Sequence, residues 1–203
     1  MQPASLYYFW KLNEAKPNDI DAVVNANALY YLWLAKQSGA ISDSIYEAAV
    51  VPVANYLMDI IREDREELCD KWHLSPFNLY YAVSRNLFAG VEPFRSIEDL
   101  LVRKVLRHAR LDGMIGSNVL ETALAVCILL NCSSRPEEMF RAIDKLLASQ
   151  EETGCWTRLP LYYGGPKKYF GWGSEELTTG FCLEALIRCH HPSMQSGAGP
   201  YAL

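Results

Sequence analysis

One helix is written three times in this chain, and that repetition limits the fold more than any other feature. Val23–Leu32 (VVNANALYYL), Leu120–Leu129 (LETALAVCIL) and Thr178–Leu186 (TTGFCLEAL) align position by position. Asn25, Thr122 and Thr179 share one position; Ala26, Ala123 and Gly180 share the next. Leu29, Val126 and Leu183 then match, as do Leu32, Leu129 and Leu186, and Asp21, Asn118 and Glu175 stand at one position ahead of them all. A weaker copy surrounds Ala82 in Leu79–Arg85. These helices are apolar nearly all round, so they must be buried. Their shared small residue lets neighbouring backbones approach. Each interval between copies holds two helices, and amphipathic stretches lie between them, which is the layout of stacked helical hairpins.

The boundaries follow from local signals. Pro17-Asn18-Asp19 precedes the apolar run Ala22–Ala35, and Gly39 follows it. Ser42–Arg62 carries Ile45, Ala49, Val53, Tyr56 and Ile60 on one stripe, and Pro52 inside it predicts a kink or a split. Glu63–Lys71 reads as a solvated loop. Pro76 opens the next helix and Gly90 closes it. Ser96–Arg110 and Pro136–Gln150 are amphipathic, Ser117–Asn131 is apolar, and Glu175–Cys189 is the last apolar helix. Leu159–Gly173, rich in Tyr, Gly and Pro, reads as a loop. The expectation is an all-α domain over residues 1–191 with four inner and three outer helices, then a flexible tail over 192–203.

Composition narrows the function classes. Of 203 residues, 50% are apolar, and the net charge of -5 argues against a nucleic-acid partner. No uninterrupted apolar run approaches the ~20 residues that span a bilayer. Leu6-Tyr7-Tyr8-Phe9-Trp10 follows no basic region and precedes no small-residue cleavage site, so it is not read as a signal peptide. The six cysteines form no CxxC pair, which suits free thiols in the cytoplasm. Only Cys189, His190 and His191 are close enough in sequence to suggest a metal, and they lack paired ligand spacing, so neither metal nor cofactor is expected.

Three segments carry a family resemblance: Asp19-Ile20-Asp21-Ala22-Val23-Val24-Asn25-Ala26-Asn27-Ala28-Leu29, Gln150-Glu151-Glu152-Thr153-Gly154-Cys155-Trp156, and Tyr162-Tyr163-Gly164-Gly165 leading to Gly173–Leu186. With them the chain resembles the α/α-toroid superfamily of terpene cyclases and protein prenyltransferases, and more closely bacterial squalene-cyclase-like proteins. The second segment is similar to the QW repeat of squalene cyclases, with Lys145 where an aromatic residue is usual. It implies a structural role, with Gln150 bonding backbone in the next turn and Trp156 stapling outer to inner helices. Such toroids close a ring with more helix pairs than this chain supplies, so the resemblance implies a partial toroid. An open apolar edge of that kind needs covering, and a homodimer is the expected cover.

The resemblance also implies a chemistry. Protonation-initiated cyclases use an Asp-x-Asp-Asp motif whose middle acid protonates an alkene or epoxide, and burial beside another carboxylate keeps such an acid protonated. Asp19-Ile20-Asp21-Ala22 keeps the first and third acids and loses the last to Ala22. On that alignment Asp21 is the proton donor, with Asp19 or Glu176 assisting. The competing role for Asp21 is capping its helix. No DDxxD magnesium motif and no zinc pattern of prenyltransferases is present.

In a toroid, Asn25, Thr122, Glu175 and Thr179 would gather near one mouth of the central cavity as a polar rim for substrate. Arg85 would pair with Glu175 or Glu121, or hold a phosphate. Tyr163, Phe170 and Trp172 belong to a loop with too many aromatics to be idle, read as a lid or a dimer contact. The expected ligand is a hydrophobic isoprenoid-type molecule held as in a terpene cyclase. The rival readings are a non-catalytic helical scaffold for a protein or lipid, and one part of a larger cyclase.

Overall fold

A computed structural model describes residues 20–69, 72–164 and 170–190. Asp19 and the 192–203 tail lie outside the described residues. The elements are α1 (Ala22–Gln37), α2 (Asp43–Arg62), α3 (Glu66–Cys69), α4 (Phe77–Ala89), a 3-10 turn (Glu92–Ile97) running into α5 (Glu98–Leu106), α6 (Val119–Asn131), α7 (Glu137–Ala148), the hairpin β1 (Tyr162–Tyr163) and β2 (Gly171–Trp172), and α8 (Glu175–His190).

Side chains cap three of the four inner helices, at the shared repeat position in α1 and α6 but one residue ahead of Glu175 in α8, and α4 starts at Pro76 without one. Asp21 Oδ1 accepts the Val24 N–H at 2.9 Å, Asn118 Oδ1 accepts the Glu121 N–H at 3.0 Å, and Ser174 Oγ accepts the Leu177 N–H at 3.1 Å. Gly90 ends α4 with φ of +100°, a value that favours glycine.

Helices α1, α4, α6 and α8 pack side by side in chain order, while α2, α5 and α7 cover their outer side. This is an all-α, partial α/α toroid with four inner and three outer helices. The shared small positions do what the repeat implies. Ala26, Ala82 and Ala123 are buried between neighbouring inner helices. Gly180, on the last inner helix, is exposed, and a Cβ built there would meet nothing within 4 Å. Among the described residues, α8 is the last helix of the row. In α6 every residue but Glu121 is buried, so this helix forms the centre of the core.

Four expectations change. First, Pro52 neither splits nor ends α2, which runs unbroken from Asp43 to Arg62. The carbonyl of Ala48, which proline cannot bond, lies on the exposed side of the helix, where water can serve it. Second, α2 is 20 residues long with mean hydropathy 1.2, long and apolar enough by those measures to cross a membrane, although no uninterrupted apolar run announces it. Its stripe Val50, Val53, Ala54, Leu57, Ile60 and Ile61 is buried in the core, which accounts for that composition. Third, Glu63–Lys71 is not simply a solvated loop. It contains α3, and Glu66 is buried against Lys104 and Tyr80. Fourth, Leu159–Gly173 is ordered in part as the antiparallel pair Tyr162 to Trp172 and Tyr163 to Gly171.

Candidate functional site at the helix N-termini

Alternation of inner and outer helices makes the inner four run the same way, so their N-termini meet at one end of the array. A cavity of about 300 Å³ opens there, lined by Glu66, Glu67, His73, Leu74, Pro76 and Tyr163. A neighbouring cavity of about 160 Å³ shares Leu74, Ser75 and Tyr163, and reaches Asn118 and Glu121 at the start of α6.

Backbone pairing fixes the walls. The Tyr163 N–H donates to the Trp72 carbonyl at 2.7 Å, the Leu74 N–H to the Leu161 carbonyl at 3.4 Å, and the Leu161 N–H to the Trp172 carbonyl at 2.7 Å. The hairpin thereby holds both His73 and Tyr163 at the cavity. Gly173 matters at its base, because a Cβ there would collide with the Leu159 carbonyl.

Behind His73 lies Asp21, which is 1% exposed. Its Oδ1 caps α1, while its Oδ2 is buried without a hydrogen bond and lies 4.0 Å from His73 Nδ1. Across the cavity, Glu66 Oε1 accepts from the Tyr80 hydroxyl at 2.7 Å and from Lys104 Nζ at 2.6 Å. Burial, and then the hydrogen bond to Glu66, push the Tyr80 hydroxyl far above the ordinary tyrosine range, so it remains a donor.

The other expected site residues divide into groups. Asn25 is fully buried and its Nδ2 donates to the Asp21 carbonyl at 2.8 Å. Thr122 Oγ1 is buried, bonding the carbonyls of Asn118 and Ile115 and accepting the Ile115 N–H. Thr179 Oγ1 accepts the Trp156 N–H at 3.1 Å. All three serve backbone groups rather than forming an open polar rim. Glu175 and Glu176 are exposed in the first turn of α8. The Glu176 carboxyl is held below the usual range by its own backbone N–H and then by Ser174, which favours the ionised form over proton donation. Tyr163 lines both cavities, whereas Phe170 and Trp172 project to the surface.

Arg85 does not pair with Glu175 or Glu121. Its Nη2 donates to Asn27 Oδ1 on α1 at 2.6 Å, and its guanidinium lies 4.4 Å from the Tyr30 ring centroid. Glu121 is engaged elsewhere, accepting the Ser117 N–H at 2.6 Å. Trp156 is fully buried and its Nε1 donates to the Leu146 carbonyl at 2.9 Å, while Gln150 Nε2 donates to the Gly154 carbonyl at 2.7 Å. With the Trp156 N–H on Thr179, the indole bond joins α7 to α8.

Side chains of α4 and α8 meet across α6. The Tyr81 hydroxyl on α4 donates to Glu184 Oε2 on α8 at 2.9 Å, and the Tyr81 and Phe181 rings meet edge to face at 5.3 Å. His73 and Glu66 carry no local sequence signal. They become conspicuous only when the fold sets them against Asp21 and Lys104. Among the described residues, no group of three or more His, Cys, Asp or Glu side chains is placed to hold a metal ion.

No family model matches the sequence, and no curated protein matches it. Among solved structures, the fold is similar to ent-copalyl diphosphate synthase from Streptomyces platensis, with 20% identity and a TM-score of 0.66. That match covers 90% of this chain and 35% of the synthase, so the chain spans about a third of its length. The class defined by fold is therefore a partial terpene-cyclase-like α/α toroid.

Proposed function

We propose that this chain is the acid-bearing part of a protonation-initiated terpene cyclase, acting on a polyprenyl or triterpene-type chain. The observation that carries the reading is the buried Asp21 Oδ2, which has no hydrogen bond, faces His73 at 4.0 Å, and lies behind the cavity at the helix N-termini. In this mechanism the Asp21 carboxyl gives a proton to an alkene carbon, the adjacent carbon becomes cationic, a second alkene closes the ring by forming a C–C bond, and the final cation loses a proton to water. His73, which lines the cavity and lies 4.0 Å from Asp21 Oδ2, holds the carboxylate afterwards and returns a proton from solvent. Asp19, at the first acidic position of the motif, keeps its proposed assisting role. The cavity of about 300 Å³ is partly polar and too small to enclose a long prenyl chain alone. The apolar remainder of the chamber therefore comes from a second body, and a second copy packed on the open flank of α8 is the candidate. Buried thiols at Cys127, Cys132 and Cys182 suit a reducing, cytoplasmic setting.

The test is turnover of prenyl diphosphates and squalene by the wild type and by Asp21→Asn. Asparagine caps a helix about as well as aspartate, so this variant keeps α1 and loses only the acid. Product from the wild type and none from the variant is the expected result. Equal product from both removes Asp21 from the chemistry.

The direct contact of α4 with α8 across α6 favours a second reading, a non-catalytic helical scaffold, because Tyr81 pairs with Glu184 and packs on Phe181. Absence of turnover together with absence of prenyl-ligand binding would select it.

A further inference from the structure

Among the described residues, Arg85 is a half-buried cation without a counter-ion. Its guanidinium has five N–H donors, and a single hydrogen bond uses one of them: Nη2 to Asn27 Oδ1 at 2.6 Å. Its Nε is buried with no hydrogen-bond partner, and among the described residues no carboxylate lies within ion-pair distance of it. The rings of Tyr30 on α1 and Tyr81 on α4 flank it, with centroids 4.4 and 6.0 Å away.

Other buried basic side chains in this protein are treated differently. Lys104 is 2% exposed and has carboxylate oxygens of Glu66 and Asp64 both at 2.6 Å. Arg188 is 14% exposed and has Glu184 at 2.9 Å, besides Asn131. Withdrawing a charge from water is costly unless an opposite charge compensates it. The tie between α1 and α4 explains one hydrogen bond, and Asn86, which donates to the Ala26 carbonyl at 2.8 Å, already supplies another without any charge. The planar fork held between two rings matches the oxygen spacing of a phosphate or carboxylate.

We propose that Arg85, with Asn27, Tyr30 and Tyr81, forms an oxyanion-binding site on the inner side of the α1–α4 pair. Its ligand is a phosphate or diphosphate group, taken from solution or from the head of an isoprenoid. Tyr30 and Tyr81 stack the guanidinium and fix its plane. Asn27 takes one of the two Nη2 hydrogens, and the other forms a two-donor edge for the anion with its neighbour on that side, Nε or Nη1. The Tyr81 hydroxyl is committed to Glu184, so the ring rather than the hydroxyl contributes. This site is independent of the Asp21 chemistry. Asp21 faces His73 at the start of α1, whereas Asn27 lies farther along α1 on its exposed side.

The experiment is isothermal titration with three probes: inorganic pyrophosphate, a prenyl diphosphate, and the alcohol of the same prenyl chain. The proteins are the wild type, Arg85→Gln, Arg85→Lys and Asp21→Asn, each checked for helicity and melting temperature. The expected result is that both diphosphate probes bind the wild type. Arg85→Gln weakens both by about tenfold or more, and Arg85→Lys, which keeps the charge but not the fork, weakens them less. Asp21→Asn leaves diphosphate binding unchanged even where it abolishes turnover, so the two proposals fail separately. Tighter binding of the prenyl diphosphate than of pyrophosphate identifies a lipid head group, and equal binding identifies a free oxyanion. If Arg85→Gln does not fold, Arg85→Lys carries the comparison. The proposal is overturned if neither diphosphate probe binds, if folded Arg85 variants bind as tightly as the wild type, or if the alcohol binds as well as the diphosphate.

Discussion

Lys104 Nζ lies 2.6 Å from Glu66 Oε1, joining the last turn of α5 to the short α3 beside the cavity. Both side chains are almost wholly buried, and the Tyr80 hydroxyl completes the carboxylate from α4. Removing one partner strands the other in a poorly solvated site. Lys104→Met is expected to cost about 3 kcal/mol, the lower end for a broken buried pair, because Tyr80 still serves Glu66. Glu66→Gln should cost less, because Lys104 keeps Asp64. The double variant Glu66→Gln with Lys104→Met should recover part of the loss, because neither charge is then left without its partner. Urea denaturation of the four proteins as a mutant cycle measures this, and additive losses would refute the coupling.

The same lysine sets an acid dependence. Its hydrogen bond first, and its charge second, hold the Asp64 carboxyl below the ordinary aspartate range. A carboxylate whose folded value is depressed stabilises the fold above its unfolded value and loses that contribution as pH falls through the folded value. The Asp64 part of the difference between wild type and Lys104→Met should therefore be constant at neutral pH and shrink below about pH 4. Asp64 is solvent-exposed, so the change is small. Denaturation midpoints at stepped pH would record it, and a difference that grows with acid contradicts the assignment.

Trp156 is the largest fully buried side chain, and it joins two elements through two bonds: its indole to Leu146 of α7 and its backbone N–H to Thr179 of α8. Trp156→Ala should cost about 3–5 kcal/mol through the cavity it leaves. Thr179→Val should cost about 1 kcal/mol, since it removes one acceptor and keeps the shape. Chemical denaturation gives both numbers. If Thr179→Val costs as much as Trp156→Ala, the indole is not the main tie.

Thiol reactivity should sort by burial. Desolvation pushes Cys132 and Cys182 up to about 12, and raises Cys127 well above the ordinary thiol range. Because the thiolate is the reactive form, all three should resist iodoacetamide in the folded protein and react on denaturation. Cys155 and Cys189 are half-buried and should be modified first. Peptide mass mapping after a short exposure reads the order directly. Early modification of Cys127 would mean that the centre of α6 opens in solution.

The small and polar positions of the repeat made the fold legible. Ala26, Ala82 and Ala123 lie between packed helices because only short side chains permit that approach, and the pattern is periodic in the sequence. The caps Asp21 and Asn118 were legible for the same local reason. The side-chain partners were not. Asp21 and His73 are brought together by α1 and a bridge before α4, and Tyr81 meets Glu184 across α6. An inner helix apolar on every side gives little sign of which polar residue faces which neighbour. Thus Thr122 and Thr179, read as a ligand rim, instead serve backbone groups, and Arg85 turned toward Asn27. Glu66 was misread because its partner Lys104 lies in a different amphipathic helix, where a lysine ordinarily marks the solvent side.

The end of the row at α8 makes the last prediction. Gly180, Leu183 and Ile187 follow one another along one exposed side of α8, with Leu183 42% and Ile187 46% exposed. The helix caps set Thr179, one residue before Gly180, in the place of Ala26 and Ala123. Gly180 itself is exposed, and a Cβ there would meet nothing within 4 Å, so this side of α8 has room for a neighbouring helix. A second copy laid on this flank would bury the apolar pair and bring another helix within reach of the small residue. Leu183→Glu with Ile187→Glu should convert a dimer to a monomer with little change in the stability of each protomer, because both side chains already face solvent. Light scattering across a concentration series measures the mass of each form. A wild type that is monomeric throughout, or a double variant that remains dimeric, would move the contact away from α8.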